Sequence, residues 1–240
     1  VGKNRAAGLV MSNISVESYE PGKVSRPGHS RMRDMGHDVF RLGLHHKEET
    51  KEQEKIRKEL EKIRKALDVI DSSVITENLW GERWAKLCQN CMGNPVVAMS
   101  NLGTAELAGD EVCRKLQINL AREAAEIGEK LGLDFEKFGG ASKDKWLQSV
   151  DKDIYLELDT MIKKRSNGPN RRPSMGQDIH RGRKTEILHM SGHVLAEARA
   201  LKIDLPYTKK TMETIIQIDS GIIQPSLDNV YTIINSLETV

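Results

Sequence analysis

In the stretch WAKLCQNCMGNP, residues 84–95, three polar residues recur at four-residue spacing: Lys86, Asn90 and Asn94. On a helix that spacing stacks side chains along one face. The neighbours are mostly apolar, so the face is a polar stripe on an element that otherwise builds core. Asparagine is a poor helix former, and two on one stripe cost helical stability. Asparagine amides suit a small ligand carrying carboxylate and hydroxyl groups. A lysine with a carboxylate nearby suits proton donation to a carbonyl oxygen. The plainer reading is a partly exposed helix face, with Asn94 as a stop signal before Pro95.

A second constellation is PSMGQDIHRGRKTEI, residues 173–187. Pro173 and Ser174 make a good helix start, and Ser174 and Asp178 share a face. Glu186 lies two turns further on. Arg181, Arg183 and Lys184 cluster around it, so a salt-bridge network is an equally open reading. Gly176 and Gly182 remove side chains where another backbone or a ligand can approach. His189 and His193 form H-x-x-x-H on a helix, but no glutamate follows the first and no third ligand is evident. No metal site is expected there. Cys88 and Cys91 form a single C-x-x-C without a second pair, and read as ordinary helix cysteines. Trp80, Trp84 and Trp146 read as packing residues.

The elements that must position these residues fall into two parts. Residues 8–18 and 38–44 read as strands, with a Pro/Gly turn at 19–28 between them. Residues 45–70 read as a charged helix, with Ile56, Leu60, Ile63, Leu67 and Ile70 at helical spacing and i,i+4 Glu–Lys pairs on the solvated face. A last strand and connector occupy 71–80. Beyond it the strand signals stop. Helices are expected over 80–99, 104–132, 144–164, 174–202, 208–219 and 226–237, with loops at 134–144 and 165–173. The division falls near residue 78. Residues 1–78 read as the end of an α/β domain whose beginning is absent, since so few strands leave open edges and little core. Residues 79–240 read as an all-helical domain.

The whole chain narrows the functional classes. It has 240 residues, 38% of them hydrophobic and 30% charged, and a net charge of +2. That is a globular composition with too little net charge to argue for nucleic acid or an anionic membrane. No apolar run is long enough to span a membrane. Three cysteines point to a reducing compartment, and a cytoplasmic location is expected. The sequence starts without Met and without a signal-peptide pattern, which reads as processing or as a piece of something longer.

The stretches LWGERWAKLCQNCMGNP, PSMGQDIHRGRKTEI and SGHVLAEARALKIDLP together resemble the ketopantoate reductase (2-dehydropantoate 2-reductase) family in order and spacing. The resemblance runs from about residue 8 to 219. It implies the end of a Rossmann-type domain followed by a helical domain of the 6-phosphogluconate-dehydrogenase-like type. It implies an oxidoreductase of pantothenate biosynthesis, in which NADPH gives a hydride to the C2 carbonyl of 2-dehydropantoate. By resemblance, Lys86 is the proton donor, Asn90, Asn94 and Ser174 contact substrate, and Glu186 lies near the nicotinamide and the reacting centre. Asp178 supports the site or contacts substrate. A small 2-oxo acid and a homodimer through the helical domain are the implied partners.

The departures from the family pattern are specific. The family's G-x-G-x-x-G turn, which holds the pyrophosphate, does not occur here. The cofactor-holding asparagine of the nucleotide domain is also missing. The usual Ser-Ser-Met reads Pro173-Ser174-Met175, and a further substrate-contacting asparagine falls on Thr104. Met92, Met99 and Met175 are expected to set the pocket volume. Two other readings stay open: a reductase of a different branched 2-oxo acid, and a non-enzymatic relative that dimerises or binds a small carboxylate.

Overall fold

The computed structural model describes residues 6–10, 40–44, 51–69, 72–135 and 137–238. They form two compact units that meet between Arg83 and Trp84. The expected strand residues 11–18 and 38–39, the turn at 19–28 and Ile70 lie outside the described residues.

Among its described residues, the first unit has a three-stranded sheet and a crossover helix. β1 (Ala6–Val10) pairs antiparallel with β2 (Phe40–Leu44), Ala6 opposite Leu44 and Val10 opposite Phe40. β2 pairs parallel with β3 (Ser73–Ile75), Phe40 opposite Ser73 and Leu42 opposite Ile75. Helix α1 (Lys51–Leu67) makes the crossover that two parallel neighbours require. Its apolar stripe is narrower than the spacing suggests: Leu60 is buried, while Ile63 is 47% exposed. The sheet is short and covers one line of side chains. Two ion pairs along α1 are i,i+3, Lys62–Glu59 and Arg64–Glu61. Arg57 reaches across to Glu77 and holds its carboxyl below the ordinary range. Trp80 is 36% exposed, with the Arg83 guanidinium 4.9 Å above its ring.

The second unit is built around α2 (Leu79–Ser100), whose part from Trp84 onward runs through the core. Pro95 does not stop it. The ring removes one N–H within the helix, yet the flanking residues Val96 to Met99 are all at most 1% exposed, and that burial holds the helix straight through. Trp84 lies against α4 (Glu111–Lys130), where Gly128 leaves room for the indole and the Ala124 carbonyl accepts its Nε1–H at 3.1 Å. Trp146 is fully buried and donates to the Phe138 carbonyl at 3.0 Å.

One helix expected over 104–132 is two. α3 (Thr104–Gly109) ends at Asp110, whose extended backbone breaks the helix and whose carboxylate caps α4 by accepting the Cys113 N–H at 2.8 Å. Tyr231 donates to the same carboxylate at 2.7 Å. An N-cap aspartate satisfies a donor that a continuous helix would not leave free. The expected 134–144 loop holds a small hairpin, β4 (Lys137–Phe138) and β5 (Ala141–Ser142), turned by Gly139 and Gly140 with φ of 56° and 89°. The 144–164 helix is also two, α5 (Lys143–Leu147) and α6 (Lys152–Lys163), the second capped by Asp151.

The 174–202 helix is broken as well. α7 (Ser174–His180) stops at Gly182, which takes φ of 65°. The Arg183 N–H donates to the Asp178 carbonyl at 2.8 Å and the Gly182 N–H to the Ile179 carbonyl at 3.0 Å, a left-handed glycine stop. A 3-10 turn (Ile187–His189) leads into α8 (Ser191–Leu201). α9 (Pro206–Asp219) and α10 (Leu227–Glu238) follow. Buried Glu123 of α4 caps α9 from outside, accepting the N–H groups of Tyr207 at 3.0 Å and Thr208 at 2.7 Å.

Candidate active site

The polar stripe is present on α2 as a face. Lys86 and Asn90 are half-buried and Asn94 is only 9% exposed. Among the described residues, none of these three side chains has a hydrogen-bond or ion-pair partner. Their polar atoms are not among the fully buried unpaired ones of the described residues, so the face stays open to solvent and to a ligand. Burial alone pushes the Lys86 ammonium below the ordinary lysine range, with no carboxylate holding it up. The same helix turns its other faces, with Cys88, Cys91, Met92 and Met99, into the core. Burial pushes the Cys91 thiol up to about 12, so the C-x-x-C is inert as a thiolate source.

Ser174 and Glu186 are brought together. The Ser174 hydroxyl donates to Glu186 Oε1 at 3.4 Å. On one continuous helix they would stand about 18 Å apart along the axis; the stop at Gly182 folds the chain back and makes the contact. Glu186 is placed from behind: Asp219 accepts from the Thr185 hydroxyl at 2.7 Å and from its N–H at 3.2 Å. α7 reaches α2 through Gly176, where an added Cβ would lie 2.8 Å from Val97 Cγ1, one turn beyond Asn94. Asp178 joins neither group; its half-buried side chain makes no contact with the other candidates, and its carbonyl closes the turn after α7.

Thr104 is engaged locally. Its hydroxyl donates to the Pro169 carbonyl at 3.3 Å and accepts the Arg171 N–H at 2.9 Å. Beside it, Asn170 Oδ1 accepts the Ala105 N–H at 3.0 Å and caps α3 from a loop 65 residues away. Arg172 donates to the Asn101 side chain and carbonyl, both at 2.8 Å. These contacts pin the basic segment that leads into Ser174. The composition of RSNGPNRRP shows a loop but not this cap, because the cap depends on a contact far along the chain. Asn170→Ala should lower stability by about 1 kcal/mol, and Asn170→Asp should restore most of it. An unchanged thermal midpoint for the alanine variant would rule the cap out.

Two further expectations are corrected. Met92, Met99 and Met175 are at most 2% exposed within the core cluster, so they line no open site. Their side chains fill the space between helices. His189 and His193 do not share a helix, since the first lies in the 3-10 turn and the second in α8. His193 instead sets its ring edge to Trp84, 6.0 Å between centroids.

Residues 78–219, more than half of the chain, match the family model described as "Ketopantoate reductase PanE/ApbA C terminal". The chain belongs to the ketopantoate reductase family. All the candidate residues lie inside the matched ketopantoate reductase segment. A 2-dehydropantoate 2-reductase from Pyrococcus horikoshii is 24% identical over 132 residues, which are 55% of this chain and 38% of that protein. The chain therefore spans little more than a third of that reductase's length. The crystal structure of 2-dehydropantoate 2-reductase from Methylococcus capsulatus superposes with a TM-score of 0.62 at 15% identity, over 91% of this chain and 59% of that one. A D-mandelate dehydrogenase in a ternary structure with NADH and anilino(oxo)acetate superposes with a TM-score of 0.56 at 17% identity, over 76% of this chain and 87% of that one. The fold is thus the end of a Rossmann-type domain followed by the ketopantoate reductase helical domain.

Proposed function

We propose that the Lys86–Asn90–Asn94 face is the substrate floor of a reductase that converts 2-dehydropantoate, or a related branched 2-oxo acid, to its 2-hydroxy acid. The observation that carries this reading is the unpaired state of all three side chains on one half-buried face. Polar atoms that are open to solvent and unpaired on one face can bind a ligand's polar groups without first breaking bonds within the protein. The amides of Asn90 and Asn94 hold the acid's carboxylate and hydroxyl groups. The Lys86 ammonium donates a proton to the carbonyl oxygen as that carbon is reduced. Ser174, held by Glu186, offers a further hydroxyl to the substrate, and Glu186 stands beside the reacting centre.

NADPH is the cofactor the family implies, and it supplies the hydride. The residues described here do not provide its pyrophosphate seat. That seat needs backbone N–H groups at a glycine-rich strand-to-helix turn, and the segment joining β2 to α1 reads HHKEET, without a glycine. The 240-residue chain should therefore bind NADPH weakly or not at all. Calorimetry with NADPH on this chain and on a full-length form, made by joining the nucleotide-binding half of a family relative ahead of it, followed by turnover of 2-dehydropantoate, tests the reading. Tight NADPH binding by the 240 residues alone would place the nucleotide seat within them. A full-length protein that binds NADPH but reduces no 2-oxo acid would leave the face as a small-carboxylate binding site.

A further inference from the structure

Glycine within a helix is unfavourable relative to alanine, because it orders more backbone for no side chain. Where the helical unit keeps a glycine, a reason is usually visible. At Gly103, Gly128 and Gly176 an added Cβ would come within 2.0, 2.2 and 2.8 Å of a neighbour. Gly132, Gly182 and Gly221 take positive φ. Gly93 meets neither condition; Gly109 and Gly192 do not either, but they sit at the ends of their helices. Gly93 lies well inside α2, and a Cβ built there meets nothing within 4 Å.

The position of Gly93 gives the reason that packing does not. It lies seven residues from Lys86 and three from Asn90, so it shares their face. α7 approaches this face at Val97. The open space over Gly93 therefore lies on the face that carries the desolvated Lys86 and the unpaired amide of Asn90. The methionines that might have shaped a pocket are buried in the core.

We propose that Gly93 is a specificity-determining residue: the space left by its absent side chain takes the branched side chain of the 2-oxo acid. This rests on reading the Lys86 face as the substrate site. A side chain at this position would fill the open space beside the Asn90 and Asn94 amides and exclude bulky acids before small ones. The chain thus accepts a less stable helix in return for room beside those amides.

The test uses the full-length protein with Gly93→Ala and Gly93→Leu. kcat/KM is measured for pyruvate, 3-methyl-2-oxobutanoate and 2-dehydropantoate, and the NADPH Kd by calorimetry. The ratio of kcat/KM for the branched acids to that for pyruvate should fall roughly tenfold for alanine and further for leucine. The thermal midpoint of Gly93→Ala should rise by about 2–4 °C. Equal losses on small and branched acids, or no loss, would overturn the proposal while leaving the substrate reading intact. Weaker NADPH binding in the variants would assign the space to the cofactor instead. A lower midpoint for the alanine variant would reveal a packing role. A parent protein that reduces none of the three acids would overturn the substrate reading and this proposal with it.

Discussion

Lys86→Ala in the full-length protein should lower turnover roughly a hundred- to ten-thousand-fold, with little change in NADPH affinity. A proton donor acts mainly in the transition state, so its loss falls on kcat more than on ground-state binding. Lys86 is suited to that task because it is half-buried and has no partner among the described residues to hold its proton. Lys86→Arg should not rescue turnover, because a guanidinium keeps its proton. The pH profile carries the same signature. Burial depresses the Lys86 pKa, so the protonated donor is fully present below that value and is lost as pH rises through it. Turnover should therefore fall on the alkaline side at a lower pH than an ordinary lysine, about 10.4, would give. Turnover of Lys86→Ala within a few-fold of the parent would sink the assignment.

Arg114→Met should destabilise the helical unit by about 3–5 kcal/mol. The Arg114 side chain is 5% exposed and its guanidinium makes four hydrogen bonds. Nε donates to Asp159 Oδ1 at 2.6 Å and Nη2 to Oδ2 at 3.2 Å, joining α4 to α6. Nη1 donates to the carbonyls of Ala108 and Gly109, both at 3.1 Å, and so closes the end of α3. Methionine fills much of the volume but leaves the Asp159 carboxylate and two helix-end carbonyls without donors. Leaving one partner of a buried pair unpaired costs more than the pair itself contributes. Adding Asp159→Leu to Arg114→Met should recover a large part of the loss. Urea unfolding followed by tryptophan fluorescence measures both, since Trp84 and Trp146 are buried in this unit. A midpoint shift worth less than about 1 kcal/mol for the single variant would show that the pair is not a structural centre.

The two changes act on different links between sequence and function. Arg114 holds α3, α4 and α6 in register, and the loop pinned to α3 by Asn170 and to Asn101 by Arg172 leads directly into Ser174. Lys86 contributes nothing comparable to packing. Its variant should keep the fold while losing the chemistry, whereas the Arg114 variant should lose both together on heating.

Sequence by itself determined the parts that depend on local periodicity. The β-α-β order of the first unit, the helical remainder and the shared face of Lys86, Asn90 and Asn94 follow from spacing, because a helix repeats on itself without help from distant residues. Family membership follows from three short stretches in order. Sequence also misjudged where helices stop. Asp110 and Gly182 sit in apolar-periodic runs, and periodicity does not register one aspartate that caps or one glycine that turns left-handed. Only the tertiary structure decided what those stops accomplish. The break at Gly182 returns Glu186 to Ser174, with Asp219 fixing Thr185 from α9. Asn170 caps α3 across 65 residues, and Gly176 admits Val97. Each is a contact between residues far apart in the chain. Such contacts are fixed by which side chains the folded core brings together, and no local pattern encodes that.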